Sequence, residues 1–382
     1  MIDGDKSRTT CAERARRASR SIDKLRKDID VSLDTFLQTV KKDYRLHLVS
    51  PLLFESIREF TLREGKRLRP LLLILTYQAY APDGKKISKE LFNASTCMEF
   101  LHNFMLIHDD IIDCSDLRRG RPTLHKILAK TVATANPRKL GTDLGIIAGD
   151  IIYALAIDAF LSIHESPQRK ERALKYFIQT AAFTAMGEFI DTVHGVTGID
   201  QITENDVYLN YTLKTARYTF DCPMVTGAIL AGAPESDIKK ISEFGILTGQ
   251  AFQIQDDIIG IFETEKNIGK PILSDLAEGK KTIMVVHAYK TLKGPARTRF
   301  LKIFNKKTKS LKDLEEVKNI FVTTGSLQYA LKAVETRLNK ARRILQDLKM
   351  HRKYRDLIGQ SLLKLFAHSQ RIVERYSHSG AH

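Results

Sequence analysis

The stretch LIHDDIIDCSDLRRGRPTLH, residues 106–125, sets Asp109, Asp110 and Asp113 among isoleucines and follows them with Arg118 and Arg119. On a helix, Asp113 lies four residues after Asp109 and three after Asp110, so the three carboxylates fall on one side. Carboxylates that close repel one another and need a compensating cation. Hard oxygen ligands, with only a lone Cys114 and no regular His spacing beside them, favour Mg2+ over zinc. A solvent-facing acidic patch has the same spacing, but Ile107, Ile111 and Ile112 make the surrounding helix apolar. A second copy follows in FQIQDDIIG, residues 252–260, where Asp256 and Asp257 repeat the DDII core and Gln253 sits one turn upstream. Two such doublets on two apolar helices read as facing walls of one metal site, and metal held from both sides suits a diphosphate.

Basic residues flank both acidic segments. GKRLRP (65–70) puts Lys66 and Arg69 before an apolar helix, Arg118 and Arg119 follow the first doublet, and Lys270 and Lys280 follow the second. Arg offers phosphate oxygens a planar fork and Lys a mobile point charge. The combination implies a polyanionic substrate bridged by Mg2+. Neither a P-loop nor a GxGxxG motif is present, which leaves nucleotide chemistry without support.

These groups must be positioned by helices. Alternating β-branched runs bounded by Asn-Gly or Asp-Gly turns are absent, whereas 3.6-residue periodicity predicts helices over 22–45, 53–64, 68–81, 88–115, 143–165, 169–194, 204–232, 236–262 and 281–293. Breaks are expected at Pro51, APDG (81–84), ANPR (135–138), ESPQR (165–169) and AGAPESD (231–237), where Ser236 is expected to cap the next helix. The apolar run 144–163 is interrupted by Asp150 and Asp158, so it reads as a fully buried core helix rather than a membrane span. Leu327, Leu331, Val334, Leu338, Ala341, Leu345 and Leu348 form a heptad seam after Gly325-Ser326, expected to pack within the chain.

The chain has 382 residues, 43% of them hydrophobic, enough for one large core. Its formal charge of +16 is concentrated in residues 290–382, which hold 22 basic and 7 acidic residues. Such a region reads first as a solvated Lys-rich helical face, and it can also meet an anionic membrane surface peripherally. Without a zinc spacing or an aromatic RNA-binding motif, nucleic acid is not an expected partner. The 4 cysteines make no CxxC pair, which suits a reducing cytoplasm. The Arg-rich N-terminus lacks a secretory apolar run and is expected to be a frayed polar end.

Taken in order, GKRLRP, DDIID with RRGRPTLH, IAGD (147–150), LKTARY (213–218), FQIQDDIIGIF and GKPILSDLAEGKKT resemble the trans-isoprenyl diphosphate synthases, the polyprenyl synthetase family, over roughly residues 50–290. The resemblance implies an all-α antiparallel helical bundle around a deep central cavity, usually a homodimer. It suggests an N-terminal extension with the first helix (1–45), a catalytic bundle (46–293) and a basic helical extension packed on it (294–382). It implies that Asp109, Asp110 and Asp113, with Asp256 and Asp257, hold Mg2+, in all three ions. Arg118, Lys214, Lys270 and Lys280 would hold an allylic diphosphate; Lys66, Arg69, His102 and Arg119 would hold isopentenyl diphosphate. Thr215 and Gln253 would steady a carbocation. Gly260 stands where many members have a third Asp, which leaves the second wall one carboxylate short.

The implied reaction is chain elongation: the allylic C–O bond ionises, the isopentenyl double bond attacks, and a proton leaves. From periodicity alone Phe104, five residues before Asp109 and so about 7–8 Å down the helix, reads as an ordinary core aromatic. The resemblance implies instead that it floors the cavity; with flexible Met105 next to it, the expected product is mainly geranylgeranyl diphosphate, farnesyl diphosphate being the alternative. A non-catalytic synthase subunit would be expected to have lost a doublet, and a class I terpene cyclase would not need Lys66, Arg69 and His102.

Overall fold

The computed structural model describes residues 3–131, 133–263 and 273–377. Helix α1 (Asp3–Asp43) enters the core through Ile29, Leu33 and Leu37. It begins at Asp3, so the Arg-rich end expected to fray is helical. After one turn, α2 (Leu46–Val49), the chain starts α3 (Pro51–Leu62), where the Ser50 hydroxyl accepts the Leu53 N–H and Pro51 takes the first helical position. Helix α4 (Leu68–Tyr80) is apolar all round, with Leu71 to Leu75 completely buried in succession, as a helix through the middle of a bundle must be.

The segment predicted as one helix over 88–115 is two, α5 (Lys89–Ser95) and α6 (Cys97–Ile112). They divide at Thr96, whose hydroxyl donates back to the Asn93 carbonyl at 2.6 Å. A hairpin unforeseen in the sequence follows: β1 (Leu117–Arg118) pairs antiparallel with β2 (Arg121–Pro122). Its two-residue loop has φ of 55° at Arg119 and 71° at Gly120, the type I′ geometry that suits twisted strands.

Helix α7 (Leu124–Leu128) leads to α8 (Pro137–Leu161) and α9 (Pro167–Val196), which start at the anticipated breaks with Asn136 and Ser166 as caps. The expectation that α8 is fully buried is wrong. Its inner side, with Ala148, Ile152 and Ala156, packs chiefly on α6, while Ile146 and Ile147 are 42% and 52% exposed.

The predicted 204–232 helix is also composite. Helix α10 (Glu204–Asn210) opens on a Thr203–Asp206 capping box and passes into a π-helical segment, Tyr211–Asp221, then α11 (Cys222–Ala231). Helix α12 (Glu235–Phe262) starts before Ser236. Pro234, in extended conformation, precedes it, and Glu235 and Asp237 occupy the first turn, where acids favour the helix dipole. The chain ends with α13 (Ser274–Ala277), α14 (Ile283–Thr291), α15 (Gly294–Phe304), α16 (Leu311–Thr323), α17 (Ser326–Asp347) and α18 (Arg352–Ser377). The heptad residues Leu327, Val334 and Ala341 of α17 are buried, and α17 packs along α12, within the chain as expected.

Helix α12 joins two apolar cores. Ile241 and Phe244 belong to the larger one, around α4 and α6; Ile254 and Ile258 belong to the smaller, with α14, α16 and α17. Between α12 and α9 lies the π segment, held unusually close. A Cβ on Gly187 of α9 would fall 2.4 Å from the Lys214 nitrogen, and one on Gly249 of α12 would fall 2.3 Å from the Ala216 Cα. Glycine at both positions lets the backbone that carries Lys214 and Thr215 sit in this gap.

Candidate active site

The first acidic wall is the C-terminal end of α6. Asp110 is completely buried and takes a hydrogen bond from Arg118 Nε at 2.8 Å, while Arg118 Nη2 reaches Asp109 Oδ2 at 3.2 Å. The hairpin delivers Arg118 to these acids, and it leaves Asp110 Oδ2 buried without a partner among the described residues. Burial, outweighing Arg118, pushes the Asp110 carboxyl up to about 6. Asp113, at the helix end, is pushed up to about 7 by burial and by the carboxylates of Asp109 and Glu278.

Lys214 of the π segment reaches three carboxylates: Asp191 Oδ2 at 2.7 Å, Glu188 Oε2 at 2.8 Å and Asp109 Oδ1 at 3.4 Å. Burial opposes its charge, but Asp109, Asp191 and Glu188 outweigh it and hold the ammonium above its usual range. The sequence reading missed Glu188 and Asp191. Their signal was the i,i+3 pair in GEFID on α9, a spacing that a solvated helix face shares.

The second wall lies on α12. Asp257 is buried and accepts the Tyr211 hydroxyl and Gln253 Nε2, the latter at 3.0 Å; Asp256 is exposed. Thr215 donates to Gln253 Oε1 at 2.6 Å, and the Ile283 N–H donates to the Tyr211 oxygen at 3.1 Å. Gln253 and Thr215 thus form one hydrogen-bonded line ending on Asp257. A cleft of about 50 Å³ brings Asp257, Gln253, Thr215 and Lys280 together with Lys214 and Asp191. Lys280 is half-buried, 2.8 Å from Glu278, and Lys270 lies outside the described residues.

Among the described residues, no group of three or more carboxylate, imidazole or thiol side chains is placed to hold a metal ion as it stands. Arg118 and Lys214 instead pair with the acids separately. The donor set still fits a hard divalent cation, because an orphaned buried oxygen on Asp110 and a carboxyl of raised pKa on Asp113 both record uncompensated negative charge.

A basic pocket adjoins this site on the other side of the hairpin. Arg69 donates to Thr219 Oγ1 at 2.8 Å and lies over the Tyr218 ring at 4.2 Å; the His102 ring is 6.1 Å from the same tyrosine. Burial, then Arg69, Arg119, Arg118 and Arg67, hold the His102 imidazole well below its ordinary range, so it is neutral. Arg119 is lowered by burial and by its arginine neighbours. His102 Nδ1 and Arg69 Nε are buried with no partner among the described residues. Crowded cations with spare donors make a place for an anion. Lys66 is exposed on the preceding loop, whereas Arg67 is committed to Asp30 at 2.7 Å and to Glu99, and so serves the fold.

Phe104 and Met105 are both half-buried on α6. The Phe104 ring centre lies 4.7 Å from His108 and 5.0 Å from Tyr153 of α8, so Tyr153, unmarked in the sequence reading, shares its contact.

Residues 50–321 match the family model described as polyprenyl synthetase. The chain is similar to a short chain isoprenyl diphosphate synthase of Methanocaldococcus jannaschii, 33% identical over 303 residues, 79% of this chain and 82% of that protein. It is similar to a geranylgeranyl diphosphate synthase of Sulfolobus acidocaldarius, 32% identical over 287 residues, 75% of this chain and 81% of the other. A solved geranylgeranyl pyrophosphate synthetase from Pyrococcus horikoshii Ot3 superposes with a TM-score of 0.74 at 28% identity, covering 93% of this chain and 99% of that one.

Proposed function

Because the chain belongs to the polyprenyl synthetase family, we propose that it is a Mg2+-dependent short-chain prenyltransferase, condensing isopentenyl diphosphate with allylic diphosphates to give mainly geranylgeranyl diphosphate. The observation that carries the reading is Lys214, which touches Asp109 of one acidic wall and shares a cleft with Asp257 of the other. The names of the relatives support geranylgeranyl over farnesyl diphosphate as the product.

In this reading Asp109, Asp110 and Asp113, with Asp256 and Asp257, hold Mg2+, three ions in all, which when bound neutralises the allylic diphosphate. Arg118, Lys214, Lys270 and Lys280 hold that diphosphate, and they meet the negative charge that grows on it as the C–O bond breaks and the electron pair leaves with oxygen. Arg69, Arg119 and His102, with Lys66 at the edge, orient isopentenyl diphosphate so that its double bond attacks the allylic carbon. Thr215 and Gln253 present oxygen dipoles to the cation. The final proton passes to the released diphosphate, so no protein nucleophile is required.

The reading includes a cytoplasmic homodimer. Ile146 and Ile147 of α8 and Met186, Phe189 and Val193 of α9 are exposed apolar residues that a second copy would cover. It also includes peripheral contact between the basic C-terminal region and an anionic membrane.

The test is to incubate the purified chain with isopentenyl diphosphate and an allylic primer, with Mg2+ or with a chelator, and to weigh the product. A twenty-carbon diphosphate formed only with Mg2+ supports the proposal. No turnover would indicate a non-catalytic subunit, and a cyclised hydrocarbon a terpene cyclase; either overturns it.

A further inference from the structure

A cavity of about 630 Å³ opens at the opposite end of α4, between α1, the 82–87 turn and the start of α18. Gln78, on its wall, stands nine residues after Arg69 on the same helix, about 13–14 Å along the axis. The cavity is therefore separate from the site described above. We infer that it binds a single-chain anionic amphiphile, an acidic head on a hydrocarbon tail.

One wall is apolar, made by Leu25, Ile87, Phe92 and Leu357. Lys24, Lys86 and Lys353 line the cavity and are exposed. Lys85, also present, is already committed to Glu165 at 3.0 Å. Two carboxylates, Asp28 and Asp83, line it as well, but Lys24, Lys86 and Lys353 outnumber them, so cationic charge prevails at the mouth.

The buried amide adds an independent sign. Gln78 is 3% exposed; its Oε1 accepts the Tyr354 hydroxyl at 3.1 Å, while its Nε2 is buried with no partner among the described residues. A buried N–H left unpaired is unfavourable, and an acceptor oxygen on a ligand would relieve it. A small hydrophilic anion would leave the apolar wall uncovered, and a neutral hydrocarbon would leave the lysines and the amide unused. An amphiphile uses all three. The volume is in the range of ordinary small-molecule sites.

Head groups of two kinds have this chemistry, a diphosphate on a prenyl chain and a carboxylate on a fatty chain. A benzophenone-tagged farnesyl diphosphate, photolysed with the full chain, should label peptides containing Lys24–Asp28 or Lys86–Phe92, besides the aspartate helices. Competition at the distal peptides by geranylgeranyl diphosphate identifies the prenyl source, and competition by myristate the fatty source; either supports the site. The double variant Lys24→Glu/Lys86→Glu should cut distal labelling at least tenfold with turnover unchanged. Phe92→Trp, which fills the cavity and leaves the charge alone, should do the same. Labelling confined to the aspartate helices, distal labelling unaffected by both variants, or competition by inorganic diphosphate as strong as by the chain-bearing anions would overturn it.

Discussion

Lys214 on the π segment and Asp191 on α9 meet at 2.7 Å, each side chain 23% exposed, although 23 residues separate them in the chain. The contact holds the ammonium where Glu188 and Asp109 also reach it. Replacing Lys214 with Met should reduce turnover about 10²–10³-fold, as removal of one preorganised charge on a developing anion does. It should also lower stability by about 1–2 kcal/mol, less than for a fully buried pair because water screens both groups. Steady-state kinetics and thermal melts read the two effects. Normal turnover would remove Lys214 from the chemistry.

Arg118 and Arg119 should separate kinetically. Arg119→Ala should raise the KM for isopentenyl diphosphate about tenfold with kcat little changed, as loss of uniform binding does. Lys66→Ala should act in the same direction. Arg118→Ala, next to Asp109 and Asp110, should lower kcat instead. Equal effects from the two neighbours would mean that the hairpin does not divide two substrates.

Phe104→Ala should lengthen the product by opening space beside Tyr153, and mass analysis of the product reads this directly. A variant that keeps the parent chain length would show that the cavity ends elsewhere.

Gly249→Ala sets a methyl 2.3 Å from the Ala216 Cα. Overpacking against backbone should destabilise by about 1–3 kcal/mol. Because Thr215 precedes Ala216, the residual folded enzyme should also turn over more slowly. A melt indistinguishable from the parent would mean that the π segment has room to retreat.

The pH dependence of folding should carry the mark of Asp221. The single hydroxyl proton of Tyr176 faces both Asp221 oxygens, at 2.9 and 2.8 Å, yet burial pushes the carboxyl up to about 6. A raised carboxyl contributes stability that is fully present below its unfolded value near 4 and is lost as pH rises through about 6. Asp221→Asn stays neutral, so its melting temperature relative to the parent should climb between about pH 4 and pH 6 and level off above. A difference flat with pH would show that the carboxyl titrates normally.

Charge inside apolar helices made both aspartate doublets legible, and Gly-Lys-Arg beside a leucine run marked the basic pocket. Glu188 and Asp191 were not legible, because an i,i+3 acidic pair reads as an ordinary wet surface until the π segment brings Lys214 against it. The π segment itself stayed hidden. Its 11 residues are too few for apolar periodicity to distinguish from an α-helix. Strands of 2 residues show no alternation, so the hairpin could have been found only from Gly120. Composition fixed the apolar character of α8 but not which side would be covered.

The hairpin has a consequence for how such an enzyme can change over evolutionary time. Arg118 and Arg119 share one peptide unit, so their Cα atoms stay about 3.8 Å apart. One serves the acidic wall and the other the basic pocket. Under the proposed assignment of Arg118 and Arg119, the two head groups are gauged by a rigid link that lineages cannot retune without impairing reaction with every primer alike. In the proposed reading new products arise at the tail end, through residues such as Phe104 and Tyr153, whose replacement leaves the distance between the heads untouched.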